Sequence, residues 1–160
     1  MASTPAVIPE GAIRVRRTFA APIEKAFQAW IDPKKMTHWF ARGPHMKQPA
    51  KVIIAEAQTG GRYMVEVECP PDEHEGDTKV FRIQGTYREI RPPEKLVFTW
   101  WWEGADFKES LITVEFRKLG QSNFTEITLT HELLPEKERE GHRKGWEGCF
   151  DMLEKTLAME

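Results

Sequence analysis

One long amphipathic pattern closes this chain, and a helix of that length needs a sheet to lie on. From Pro135 to Leu157, the residues His142, Trp146, Cys149, Phe150, Leu153 and Leu157 recur at steps of three and four and share one face. Arg143, Lys144, Glu147, Glu154 and Lys155 take the opposite, wet face. Pro135 suits the first helical position, and Glu136 and Glu138 suit the positive end of the helix dipole.

The rest of the chain supplies that sheet. Ala12 to Phe19 alternates as a first strand, with Arg17 on the same side as Ile13, Val15 and Phe19. Ala21-Pro22 then opens a short helix carrying Ile23, Phe27 and Trp30, and Asp32-Pro33 starts a second one ending in Met36, Trp39 and Phe40. After an irregular loop, Ala41 to Pro49, strands are expected at Lys51–Gln58, Arg62–Cys69, Lys79–Ile90, Lys95–Glu103, Glu109–Lys118 and Phe124–Leu133. Consecutive hairpin-linked strands with polar alternates make an antiparallel sheet with one wet face. The expected class is therefore α+β. A curved antiparallel sheet of about seven strands wraps the C-terminal helix, and two short helices follow the first strand. Residues 1–10 read as a flexible tail, and 11–160 as one domain.

Composition narrows the functional classes. The balance of 23 basic and 25 acidic residues gives a net charge of -2, which argues against a nucleic-acid footprint. No stretch has the length and apolarity of a membrane span, and no targeting signal is visible, so a cytoplasmic chain is expected. Cys69 and Cys149 make no metal or redox spacing, and the five histidines form no HxH or HxxxH pair, so neither a metal nor a cofactor is expected. The acidic run Asp72 to Asp77 lacks an EF-hand register and reads as a solvated hairpin tip. The one excess is aromatic, with six Trp and nine Phe.

Three segments together resemble a known family. VRRTFAAPIEKAFQAWIDPKKMTHWF, RIQGTYREIRPPEKLVFTWWW and HELLPEKEREGHRKGWEGCFDMLEKTL are similar, in order, to the heat-shock-chaperone ATPase activator (AHSA-type) branch of the START-like (SRPBCC, Bet v-type) superfamily. The resemblance covers nearly the whole chain from about residue 12 and implies the helix-grip fold. It also implies a hydrophobic small molecule held between sheet and helix, of the aromatic or polyketide kind. A co-chaperone-like role in the stress response, with a chaperone as partner, is the alternative. The activator resembled here carries an additional chaperone-binding domain, which these residues do not match. A polyketide cyclase or aromatase is the third reading. The chain could work as a monomer or a homodimer.

The residues offer a matching lining. Tyr63, Val65, Phe81, Phe98, Trp100 and Trp102 share the inward face of the strands, and Trp146 and Phe150 face them from the helix. Trp39 and Phe40, beside the Pro/Gly loop, could gate an entrance. Outward Trp101 is the candidate for a protein-binding patch. Inward Arg17 needs a carboxylate, either a structural partner or a ligand's, and inward His131 is read first as a hydrogen-bonded core histidine. If the chain is an enzyme, His131 and Arg17 are the acid/base and the cationic clamp, with Tyr63 and Tyr87 as further donors; otherwise no residue is catalytic. Gly141, Gly145 and Gly148 sit in the long helix at a cost of up to about 1 kcal/mol each, which close approach to the sheet would explain, or else flexibility of the helix over a cavity.

Overall fold

A computed structural model describes residues 11–41, 50–69 and 79–158. The tail at 1–10, the loop after Ala41 with His45, and the acidic loop with His74 lie outside the described residues. The elements run β1 (Ile13–Phe19), α1 (Ile23–Gln28), α2 (Pro33–Trp39), β2 (Lys51–Ala55), β3 (Arg62–Cys69), β4 (Lys79–Arg91), β5 (Lys95–Trp102), β6 (Ser110–Lys118), β7 (Thr125–Glu132) and α3 (Glu136–Ala158). They form one antiparallel sheet of seven strands, in the order β1-β7-β6-β5-β4-β3-β2. The first strand therefore pairs with the last, and β1 and β2 are the edges.

The local chemistry of the starts and stops is legible. Asp32 caps α2 by accepting from the Lys34 amide at 3.0 Å, with Pro33 behind it in the first turn. β2 is shorter than expected because the chain from Glu56 already folds into the turn. Gln58 donates to Glu56 O at 2.7 Å, and the Gly60 amide reaches across to Tyr87 O at 2.8 Å. Gly60 itself lies at φ +86°, a region that glycine enters without a Cβ clash.

Curvature of the sheet centres on Gly85 in β4. A Cβ there would lie 2.0 Å from Thr99 O on β5, so only glycine lets the two backbones come this close. Tyr63, opposite Gly85 across β3 and β4, lies over the bare position, and its hydroxyl donates to Thr99 O at 2.5 Å. The register slips between Tyr87 and Glu89, which adds to the bend. On the outer face of β7, Arg14 and Arg16 donate to Thr130 and Thr128 at 3.3 and 3.2 Å. Their stems cover threonines that alternation would otherwise leave wet.

Inside the curve the core is continuous, from Phe19 and Phe27 through Trp30, Met36 and Trp39 to Phe98, Ile112, Leu129 and Leu153. α3 lies along it with His142, Trp146, Cys149, Phe150, Leu153 and Leu157 buried, the same face that the spacing predicts.

Candidate functional site

The space between sheet and helix is solid at one end and open at the other. At the solid end Phe150 meets Phe19 edge to face at 5.6 Å, and Trp30 packs against Trp39 at 4.4 Å and stacks on Trp146 at 6.3 Å. Phe40 meets Tyr63 at 5.8 Å, and Tyr63 meets Phe98 at 5.5 Å, both edge to face. These rings correct the expected lining. Trp39, Phe40, Tyr63, Val65, Phe98 and Phe150 are each at most 2 % exposed, pack into the core, and are not among the residues that border the cavity described next. Edge-to-face packing lets each ring fill the gap beside its neighbour.

Toward the N-terminal half of α3 the filling stops. A cavity of about 300 Å³ is bounded by Val67 of β3, Ile83 of β4, Trp100 and Trp102 of β5, and Ala41 after α2. From α3 come Glu138, Gly141, His142, Gly145, Trp146 and Cys149. Of the expected lining residues, Trp100, Trp102 and Trp146 meet here. Phe81 sits one step away, edge to face with Trp102 at 5.7 Å, in a more open depression of about 420 Å³ that also borders Glu103, Asp106, Phe107 and Glu138.

The glycine reading also changes. Cβ atoms added at Gly141 and Gly145 would meet nothing within 4 Å, so close packing does not explain either residue. Both line the cavity, and their missing side chains keep its helical wall open. Sequence reasoning passed over them as site residues, along with His142, Glu138, Ala41, Val67, Ile83 and Cys149. The available signal was two glycines one turn apart on a helix that bears Trp146.

Two tryptophan–histidine pairs frame the cavity, and their hydrogen bonds define the tautomers. Ser110 Oγ donates its one proton to Trp100 O at 3.0 Å, so His131 Nε2 must donate to Ser110 Oγ at 2.7 Å. Nδ1 of His131 is then the acceptor for Trp146 Nε1 at 3.1 Å. In the second pair, His142 Nδ1 donates to Glu138 O at 2.8 Å and Nε2 accepts from Trp102 Nε1 at 3.1 Å. Both imidazoles are neutral in this arrangement, and both have spent their two nitrogens. Burial, then the neighbouring His142, holds the His131 pKa well below the usual histidine value. Burial likewise lowers that of His142, against the opposing pull of Glu138. Among the described residues two buried indole N–H groups have no hydrogen-bond acceptor, that of Trp100 beside the cavity and that of Trp30 in the core.

Arg17 is not at this site. Although its Cα lies on the inward pleat, its guanidinium reaches the edge of the sheet and pairs with Asp151 at 2.8 Å, with Glu147 and Glu154 at 4.0 and 3.9 Å. Across the β1–β7 ladder Arg17 faces Ile127 and His131 faces Ile13, four residues apart, which is about 13 Å of strand. The expected acid/base and clamp therefore do not converge on one atom. Tyr63 and Tyr87 are core residues; burial, with smaller contributions from Tyr87 and Glu109, raises the Tyr63 pKa, and burial pushes that of Tyr87 up to about 12. Among the described residues no group of His, Cys, Asp and Glu could hold a metal ion. No described helix is long and apolar enough to cross a membrane.

A family model described as Activator of Hsp90 ATPase homolog 1-like protein matches residues 20–158. The chain belongs to this family. Solved structures agree on the helix-grip fold. The protein CV1439 of Chromobacterium violaceum is 21% identical, with 92% of this chain and 96% of that one covered at a TM-score of 0.79. The AHSA1 protein of Silicibacter pomeroyi is 22% identical, covering 92% and 98% at a TM-score of 0.72. DynU16, from the dynemicin biosynthetic locus, is 19% identical; 94% of this chain matches 48% of that one, at a TM-score of 0.68. No curated protein matches the sequence significantly. Members of an activator family thus share a fold whose core, in this chain, is left hollow at one end.

Proposed function

We propose that this protein binds a flat, hydrophobic, ring-bearing small molecule in the cavity between β3–β5 and α3. One observation carries the reading: in a sheet–helix interface otherwise filled with interlocked rings, a tryptophan-walled space of about 300 Å³ is kept open by two helical glycines. That volume lies at the small end of ligand sites, and apolar walls with a few convergent polar groups are typical of them. Leaving a cavity and two helical glycines costs stability, so something other than folding accounts for both. DynU16, with its place in a biosynthetic locus, is in keeping with a small-molecule role.

The test uses the cavity's own tryptophans. Titration with naphthylmethanol should change the intrinsic fluorescence saturably, and Gly145→Leu, which fills the space from the helix side, should abolish the change while the fold survives. No saturable response, or an undiminished one in Gly145→Leu, would sink the reading.

A chaperone-directed role is the second reading, supported by the family's description. Trp101, expected on an exposed patch, is half-buried and donates from Nε1 to Phe107 O at 3.0 Å. Among the described residues the exposed large apolar ones, Ile53, Val80, Phe124 and Leu133, are spread over β2, β4 and the two flanks of β7. We rank this role below small-molecule binding.

A further inference from the structure

The charge of the cavity says more about its ligand than its shape does. Among the described residues, Glu138 is the only formally charged side chain lining the cavity of Trp100, Trp102 and Trp146. The same carboxylate borders the adjoining depression, whose other charged lining residues are Glu103 and Asp106. No described Lys or Arg lines either space.

The three carboxylates differ in what neutralises them. Asp106 pairs with Lys137 at 3.3 Å, and Glu103 with Arg82 at 3.5 Å. Glu138 has His142 instead, with Nδ1 3.8 Å from its Oε1. That histidine does not compensate the charge, because its Nε2 must keep a lone pair for the Trp102 N–H. Among the described residues, therefore, no Lys or Arg answers the negative charge of Glu138, which stands half-buried beside the aromatic walls. Gly141, three residues on and on the same side of the helix, leaves the approach to it bare.

Aromatic ring faces attract cations, and a carboxylate at their rim adds to that attraction. A carboxylate or phenolate ligand would be repelled by the Glu138 charge in the same place, and the one neutral Trp100 N–H does not offset that. We propose that the cavity selects a hydrophobic amine, its apolar body against Trp100, Trp102 and Trp146 and its ammonium on the Glu138 carboxylate. This rests on the reading of the cavity as a ligand site and adds the charge of what enters it.

Three probes of one shape separate the two ideas: naphthylmethylammonium, naphthylmethanol and naphthoate, each titrated against tryptophan fluorescence. The ammonium should bind about tenfold more tightly than the alcohol, the worth of one charge-assisted hydrogen bond, and naphthoate should bind most weakly. Glu138→Gln should bring the ammonium-to-alcohol ratio close to one. Glu138→Lys should invert the order of ammonium and naphthoate, with circular dichroism confirming that both variants fold. If the alcohol or naphthoate binds as tightly as the ammonium and Glu138→Gln leaves the ratios unchanged, the amine inference is overturned while the ligand site stands. If none of the three probes binds, both fall.

Discussion

The two ends of the sheet–helix interface are built from the same aromatic material and finish in opposite states. Around Phe19, Trp30, Trp39 and Phe150 the rings interlock edge to face. Around Trp100, Trp102 and Trp146 the rings still touch, Trp100 and Trp146 at 5.0 Å, but polar links tie two of them to histidines and α3 offers glycine in place of a side chain. The difference lies in what the rings are attached to. At the solid end each ring is wedged by another ring. At the open end the Trp102 and Trp146 N–H groups are tied to histidines, which fix each plane and stop it from collapsing into the space.

The largest effect should come from the solid end. Phe150→Ala should cost about 3–5 kcal/mol by chemical denaturation, as expected for a fully buried ring whose neighbours cannot close in. Trp102→Ala, at a half-buried ring beside an existing cavity, should cost no more than about 2 kcal/mol. Equal losses would mean that the open end is as tightly integrated as the solid one.

His131 lies on the boundary and sharpens the contrast. Truncating it to Ala strands the buried Trp146 N–H and takes from Ser110 Oγ the donor it accepts from, at a loss of roughly 3 kcal/mol. A small loss in denaturation midpoint, with the slope unchanged, would show that water enters from the cavity and replaces the imidazole.

Acid should act on the open end first. The folded-state pKa values of His131 and His142 are both lowered, so the unfolded chain takes up protons first as the pH falls. Stability from this source is complete above the ordinary histidine value near 6.5 and is lost below it, by up to about 1.4 kcal/mol per pH unit for each histidine. Denaturation midpoints measured at stepped pH should show the decline, and His131→Ala should flatten it. A profile that stays level down to the carboxylate range would contradict the neutral tautomers.

The smallest effect has the opposite sign. Gly145→Ala should stabilise the protein by up to about 1 kcal/mol, because the helix gains propensity and the new methyl meets nothing within 4 Å. A loss of stability on thermal denaturation would show that the helix needs glycine there for a reason other than the cavity.

Almost all of the fold was legible in the residues. Alternation over Ile13–Phe19, Tyr63–Val67 and Ile112–Phe116, and the three-and-four spacing from His142 to Leu157, each report which side faces inward, because burial repeats with the local backbone period. β1, β4, β5 and β6 differ from their expected limits by one residue at one end, β7 by one at each end, and β2 by three, where the chain leaves the ladder for its turn. The same periodicity placed Arg17 on the inward pleat but could not show that its long side chain reaches back to Asp151 on α3.

The site needed the tertiary structure. Period tells which face a tryptophan is on, and Phe98, Trp100 and Trp102 are indistinguishable by that measure. Whether each one fills space or borders it depends on what arrives opposite: Tyr63 and Tyr87 against Phe98, but Gly145 and His142 across from Trp100 and Trp102. That pairing is set by the bend at Gly85 and by where α3 crosses the curved sheet. Both are sums over many distant contacts, whereas sequence periodicity records only the local ones. Sequence alone determined a sheet gripping a helix; only the packing decided which end would stay open.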